Sequence, residues 1–304
     1  MTSITVEPSA VTPGPAVASR PPLSRGPRAR RWLRRHRPSG WHLLLIPLSV
    51  IMVVPLLWML VTALSTLEDT RTFPPKLPSI TGLQWRNFTD AWSQTALGHW
   101  MLNSTIVSVT CVISNLVLCS LAGYAFARMK FLGNKTVFFV ILATLMIPFQ
   151  VVMIPTLLIT KDLHLVDSLG ALIVPNLATA FGIYLLRQFF LGLPRELEEA
   201  ALIDGAGRLR TLWQILLPLM GPPLSTVAIL TFLNVWNDFL WPLIVLNSPG
   251  TWTVQYGLAT FQSAHFTNWP QLMATTLISQ LPMLILFVLG QRWFVRSIAT
   301  TGIK

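Results

Sequence analysis

Six long apolar runs, separated by polar stretches, dominate the chain: Trp41 to Leu64, Met101 to Ala127, Thr136 to Thr160, Leu169 to Leu191, Leu219 to Leu246 and Met273 to Val295. Each is long enough to cross a hydrocarbon core of about 30 Å, which takes about 20 helical residues. In lipid every backbone N–H and C=O must be satisfied within its own segment, so the runs predict helices. A barrel would need short alternating strands, a pattern the chain lacks. The expectation is an all-α, polytopic membrane protein with six transmembrane helices. Pro148 and Pro155 in the third run, Pro175 in the fourth and Pro282 in the sixth should kink or shorten their helices. Residues 1–40 are rich in Pro, Ser, Ala and Arg without periodicity, which predicts a disordered basic tail.

Composition agrees with this pattern. Hydrophobic residues make up 53% and charged residues 11% of the 304 positions, against about 25% charged in a soluble domain. The net charge of +11 would suit nucleic acid, but the basic residues are not interleaved with a stacking surface, so no nucleic-acid partner is expected. They follow topology instead. With Arg187 assigned to the loop after the fourth run, eighteen Lys and Arg fall on the side of both termini and four on the other. This predicts cytoplasmic termini. Arg28, Arg30, Arg31, Arg34, Arg35 and Arg37 crowd the end of the tail, as a topology anchor or a headgroup-binding patch. Cys111 and Cys119, eight residues apart in one run, are too far apart along a helix to bridge and read as packing residues.

One charged segment stands between two apolar runs, from Pro194 to Pro218. Arg195, Glu196, Glu198, Glu199 and Asp204 fall within its first eleven residues, so it sits in water. Pro194 suits a first helical turn, and the three glutamates suit the positive end of the helix dipole. Gly205 and Gly207 interrupt the helix, and a second one follows. The pair Ala200 and Ala201 leaves one side of the first helix flat enough for close approach of another surface.

Glu199-Ala200-Ala201, three residues ending in Asp204, then Gly205, nine residues, and Ile215-x-Leu217-Pro218 resemble the EAA signature of permease subunits of ATP-binding-cassette importers. FGIYLLRQFF before the loop, WNDFLWPLIVL after it, LMIPFQVVMIP in the third run and the C-terminal QRWFVRSIATTGIK are similar to the carbohydrate-importing, maltose-transporter branch. The resemblance implies a type I importer permease fold. Its parts would be a tail at 1–40, a first helix and external loop at 41–98, a permease core at 99–296 and a cytoplasmic tail at 297–304. It also implies a second, different permease subunit, two copies of a cytoplasmic ATPase, and an external solute-binding protein delivering a sugar. The loop would hold the helix that docks on the ATPase, with Glu199, Ala200, Ala201, Asp204, Gly205, Ile215, Leu217 and Pro218 as the coupling residues, Glu199 pairing a basic ATPase residue and Gly205 allowing the turn. The tail around Gly302 would reach between the ATPase subunits.

Within the fifth run Asn234, Asn237, Asp238 and Trp241 fall at i, i+3, i+4 and i+7, which on a continuous helix is one face. Amides, a carboxylate and an indole suit a sugar pathway; hydration or interhelical bonding of Asp238 would account for it equally. Trp252, Tyr256, Phe261 and Trp269 read as interfacial belt residues or a docking surface. There is no G-x-x-x-x-G-K-[ST] loop, no H-E-x-x-H and no G-x-S-x-G. No cofactor, metal site or catalytic residue is expected, and energy must come from a partner. The competing readings are a permease for a phosphorylated polyol, polyamine or amino acid, a membrane-embedded enzyme, and a scaffold.

Overall fold

The computed structural model describes residues 40–301 except 75, 77 and 262–266, without side chains at 40, 80 and 291–301. The expected disordered tail before residue 40 and the stretch around Gly302 lie outside the described residues. The chain divides into two units, Met1–Val54 and Pro55–Lys304. Helix α1 (Gly40–Ala63) supplies the described part of the first unit and the start of the second.

The second unit continues with α2 (Leu67–Arg71), α3 (Arg86–Ser93), α4 (Leu97–Arg128), α5 (Asn134–Thr144), α6 (Phe149–Asp162), α7 (Gly170–Ile173) and α8 (Ala180–Gly192). Then follow α9 (Glu196–Ile203), α10 (Arg208–Thr211), α11 (Leu217–Leu219), α12 (Gly221–Trp236), α13 (Leu240–Val245), α14 (Val254–Ala259) and α15 (Trp269–Thr301). Among the described residues the architecture is all-α, and four helical stretches, or six if bent pairs are each one span, are long and apolar enough to cross a membrane. Helix α3 packs on α4 and α15. Residues 297–301 continue α15.

Three expected spans are interrupted, and proline chemistry explains where. The third bends by 104° between α5 and α6. Pro148 has no N–H and its ring would collide with the carbonyl of Thr144, where α5 ends. The fifth bends by 86° ahead of α12, at Met220, just before Pro222 and Pro223. The fourth breaks between a 3₁₀ turn at Val174–Asn176, which contains Pro175, and α8, whose N-cap Thr179 accepts from the N–H of Gly182 at 3.2 Å. Pro155 and Pro282 lie inside α6 and α15.

Helix α4 is central, packing on α5, α7, α8, α12 and α14. Ser104, Ser108, Cys111, Asn115, Cys119 and Gly123 form its buried stripe, small groups that let neighbouring backbones approach. The approach to α8 is tightest. A Cβ on Gly182 would lie 2.9 Å from Cys119 Sγ, and one on Gly123 would lie 3.0 Å from the Arg187 nitrogen. Both cysteines are fully buried and unbridged. Asn115 Nδ2 donates to Asn176 O at 2.7 Å, satisfying a carbonyl freed by the break in the fourth span.

Of the aromatics after α13, Trp252, Tyr256 and Phe261 pack inward, while Trp269 stays exposed. Trp252 lies 6.3 Å from Trp100 and 4.9 Å from Tyr256 between ring centroids, and Phe261 meets Trp100 edge-on.

Candidate functional site: the loop after the fourth span

Between α8 and α12 the chain forms α9, a turn, α10, a π turn at Leu212–Leu216 and α11. Helix α9 starts two residues after Pro194, with Arg195 at its N-cap and Glu196, Glu198 and Glu199 in the first turn. Its end explains the spacing of the signature. Gly205 has φ +76°, a left-handed conformation that costs other residues a steric penalty. Its N–H donates to Leu202 O at 3.0 Å and the Ala206 N–H donates to Ala201 O at 2.8 Å. This is the Schellman pair of bonds, with Gly205 at C′, and Ala201 and Ala206 are buried together at its base. The alanine pair therefore splits: Ala201 packs inward at 3% exposure while Ala200 faces out.

Glu199, Ala200, Asp204, Gly205, Arg208 and Arg210 are exposed, together with Leu202 at 62%, Ile203 at 87% and Leu209 at 64%. Such an apolar cluster rimmed by charge is unusual on a solvated loop and marks an interaction surface. The three apolar residues carry no motif signal; only their position on the outer side of a capped helix reveals them. Ile215, Leu217 and Pro218, expected at the same surface, are placed differently. Leu217 is 8% exposed within the core formed with Phe190, Leu212 and Leu216; Ile215 packs against that core, and Pro218 is exposed inside α11. The end of the signature anchors the loop instead of presenting it.

A second anchor is absent from any motif. Arg128, at the end of α4, places Nε 3.0 Å from Glu198 Oε1, and its Nη2 donates to Phe190 O at 2.6 Å and to Leu193 O. Arg187 in α8 lies with Cζ 4.1 Å from the Phe138 ring centroid and donates from Nε to Phe126 O at 3.3 Å. The loop is thereby tied to the ends of α4, α5 and α8.

The four polar residues of the fifth span do not share a helical face. Helix α12 ends at Trp236 because Pro242 forbids helical hydrogen bonding to Asp238. Asp238 Oδ1 instead accepts from the Trp241 N–H at 3.3 Å at the start of α13. Trp241 is buried, donating its indole N–H to Ala171 O at 2.9 Å and meeting Phe149 edge-on. Asn237 is exposed and bonded to Leu233 O. Asn234 is exposed at the rim of a recess of about 240 Å³ between α8 and α12.

Asp167 has φ +61° and clamps the connection after α13. Its carboxylate accepts from the Asn247 and Ser248 N–H groups at 2.8 Å each, from Thr251 Oγ1 at 2.9 Å and from Ser248 Oγ. The Ser248 hydroxyl, the two N–H groups and Thr251 hold the Asp167 carboxyl well below the usual carboxylate range. His99 Nε2 meets Gly250 O at 2.6 Å, and Asn103 Nδ2 donates to Gly250 O and Trp252 O at 3.0 Å each.

Residues 115–300 match the family described as binding-protein-dependent transport system inner membrane component. An arabinooligosaccharides transport system permease protein of Halalkalibacterium halodurans is 40% identical over 205 residues, covering 67% of this chain and 74% of that one. An sn-glycerol-3-phosphate transport system permease protein of Yersinia pestis is 33% identical over 266 residues, 84% of this chain and 94% of its own. A diacetylchitobiose uptake system permease protein of Streptomyces coelicolor is 33% identical over 264 residues, 85% and 86% of the two chains. A chain in the crystal structure of a bacterial ABC transporter involved in the import of the acidic polysaccharide alginate shares the fold, with a TM-score of 0.74 over 88% of this chain and 98% of that one at 22% identity.

Proposed function

This chain belongs to the family of binding-protein-dependent transport system inner membrane components, and from that membership we propose that it is one permease half of an ATP-driven carbohydrate importer. It is a multi-pass transport permease and not an enzyme. Its partners in this reading are a second, different permease, two copies of a cytoplasmic ATPase and an external binding protein. Both termini and the loop from Pro194 to Pro218 face the cytoplasm, in keeping with the excess of Lys and Arg on that side.

The observation that carries the reading is the capped α9, which presents Glu199, Ala200, Leu202 and Ile203 outward while Ala201 and Leu217 hold its base. A short rigid helix with an apolar, acid-rimmed face suits docking in a cleft of a separate motor. ATP closes the motor dimer, α9 moves with it, and the permease pair exchanges inward-open for outward-open forms. Glu199, Asp204 and Gly205 shape the docked surface, and Asn234 and Asn237 are the polar residues of the fifth span that remain available to the pathway.

A carbohydrate cargo is supported by relatives named for arabinooligosaccharides and diacetylchitobiose. A second reading, a phosphorylated polyol, is favoured by the relative named for sn-glycerol 3-phosphate. Reconstitution of the complete assembly in proteoliposomes separates them. ATP-dependent uptake of a neutral sugar is expected, and uptake of glycerol phosphate alone would select the second reading. Glu199→Lys and Gly205→Trp should leave the chain folded in the membrane, yet dissociate ATP hydrolysis from uptake. Normal uptake by Gly205→Trp assemblies would overturn the role given to the loop.

A further inference from the structure

Five residues, Met129 to Gly133, join α4 to α5. Gly133 has φ +81°, the Asn134 N–H donates to Phe131 O at 3.2 Å, and Asn134 Nδ2 donates to Met129 O at 3.0 Å. This tight reversal brings Lys130 and Lys135 to the lining of one recess of about 490 Å³, together with Phe126, Phe131 and Thr136. The Phe126 ring centroid lies 5.7 Å from that of Phe131 and 5.5 Å from that of Phe138, so the apolar wall is built by contact between the two helices and their turn. Arg187, bonded to Phe126 O and set over the Phe138 ring, adds a positive charge beside that wall. Arg128, two residues before Lys130, pairs with Glu198 and bonds Leu193 O, so the recess lies on the same side of the bundle as the loop from Pro194 to Pro218.

No carboxylate lines the recess. Among the described residues, the side chains of Lys130, Lys135 and Thr136 make no hydrogen bond or ion pair. Lys135 also runs against helix stability. It sits in the first turn of α5, where the dipole disfavours a cation and no acidic residue offsets it; α9 carries three glutamates at the same place. An anion held between the two lysines removes that repulsion. The recess has room for about sixteen waters at about 30 Å³ each, far more than an inorganic phosphate displaces.

The apolar surroundings select among anions. Phe131 and Leu132 are exposed at the turn, and Val137, Phe139 and Val140 are exposed on α5, which with α6 forms a bent pair apolar enough to cross a membrane. Lysines flanking exposed apolar side chains at the end of a span suit the edge of a bilayer, with ammonium groups among headgroups and the apolar groups among acyl chains. A soluble phosphate would account for the lysines but would leave Leu132 in water.

We propose that the recess between α4 and α5 is a binding site for the phosphate headgroup of an anionic phospholipid, in the leaflet on the side of the Pro194 to Pro218 loop. Lys130 and Lys135 hold the phosphate, the Thr136 hydroxyl donates to it, and Phe131 and Leu132 lie against the acyl chains. The site is independent of which solute the chain carries.

Native mass spectrometry of the complete purified assembly, titrated with phosphatidylglycerol or with neutral phosphatidylcholine, tests this. Lys130→Gln and Lys135→Gln should each weaken phosphatidylglycerol binding about fivefold, and the double variant about twenty-five-fold, with phosphatidylcholine binding unchanged. Both lysines are exposed, so neither change should unfold the chain. Lys161→Gln, at the other end of the α5 and α6 pair, should have no effect. Unchanged phosphatidylglycerol affinity in the double variant overturns the site. An equal loss in Lys161→Gln does so too, by showing that net charge rather than this recess attracts the lipid. Lysine-dependent binding of inorganic phosphate or glycerol 3-phosphate in place of the lipid would reassign the recess to a soluble anion. Loss of the ATPase from the double variant with lipid affinity intact would reassign it to the motor.

Discussion

The guanidinium of Arg128, 5% exposed, lies 3.0 Å from the carboxylate of Glu198 and joins the end of α4 to the first turn of α9. Its remaining donors reach Phe190 O and Leu193 O, the last carbonyls before the loop. Arg128 therefore ties α9 to α4 and α8 through one side chain as well as through the covalent chain. Removing one member of a buried ion pair costs about 3–5 kcal/mol, because the other charge stays buried. Arg128→Ala should accordingly lower the unfolding temperature of the purified chain more than Glu198→Gln. The latter exchanges a charge for an amide in a side chain that is 20% exposed. Thermal unfolding in detergent reads the difference, and equal shifts would remove Arg128 from this role.

Gly205 presents a separable conformational demand. A Cβ there would meet nothing within 4 Å, so the barrier to substitution is the left-handed backbone alone. Gly205→Ala should cost about 1–2 kcal/mol locally. Asn, which tolerates this conformation better, should cost less. Hydrogen exchange at the Gly205 and Ala206 amides, whose bonds close the turn, should accelerate in Ala and remain closer to wild type in Asn. The reverse order would mean that contacts with a partner rather than backbone geometry determine the residue here.

The long elements and the docking loop were legible because their causes are local. Apolar runs announce spans, and a glycine four residues after Ala201 announces a capped turn. The proline positions carried more than a kink: Pro148 and Pro242 end helices, and the second of these separates Trp241 from Asn234. A periodicity argument assumes a continuous helix, so it failed at the one place where a proline lay just beyond the residues being compared. Arg128 with Glu198 was not legible at all. The pair is brought together by packing between distant parts of the chain, and neither residue type has a local pattern to reveal its partner. Leu217 misled in the opposite direction, since a motif position can serve the fold beneath a surface rather than the surface itself.

Asp167 gives a pH dependence whose sign follows from its hydrogen bonds. Its folded-state pKa is depressed below the unfolded value of about 3.9. The stability it contributes is therefore fully present above that value and is lost as pH falls toward the folded pKa. The melting temperature of Asp167→Asn should lie below wild type by a constant margin at neutral and mildly acidic pH. The margin should narrow only below about pH 4. A gap that already narrows between neutral pH and mild acidity would identify a different titrating group.

Ile203 tests the docking face with the least disturbance to the fold. At 87% exposure it contributes little to packing within the chain, and a surface change of this kind shifts stability by about 0.5 kcal/mol or less. If α9 enters a cleft on the ATPase, burial of this side chain should supply about 1.5–3 kcal/mol, or about ten- to a hundredfold in affinity. Ile203→Glu removes that contribution and adds a carboxylate that must be desolvated on docking. The ATPase should then fail to co-purify with a chain whose melting temperature is unchanged. Leu209→Glu, on the exposed side of α10, should act in the same direction. Retention of the ATPase by both variants would show that the apolar cluster outside the Gly205 turn is not the surface the motor engages.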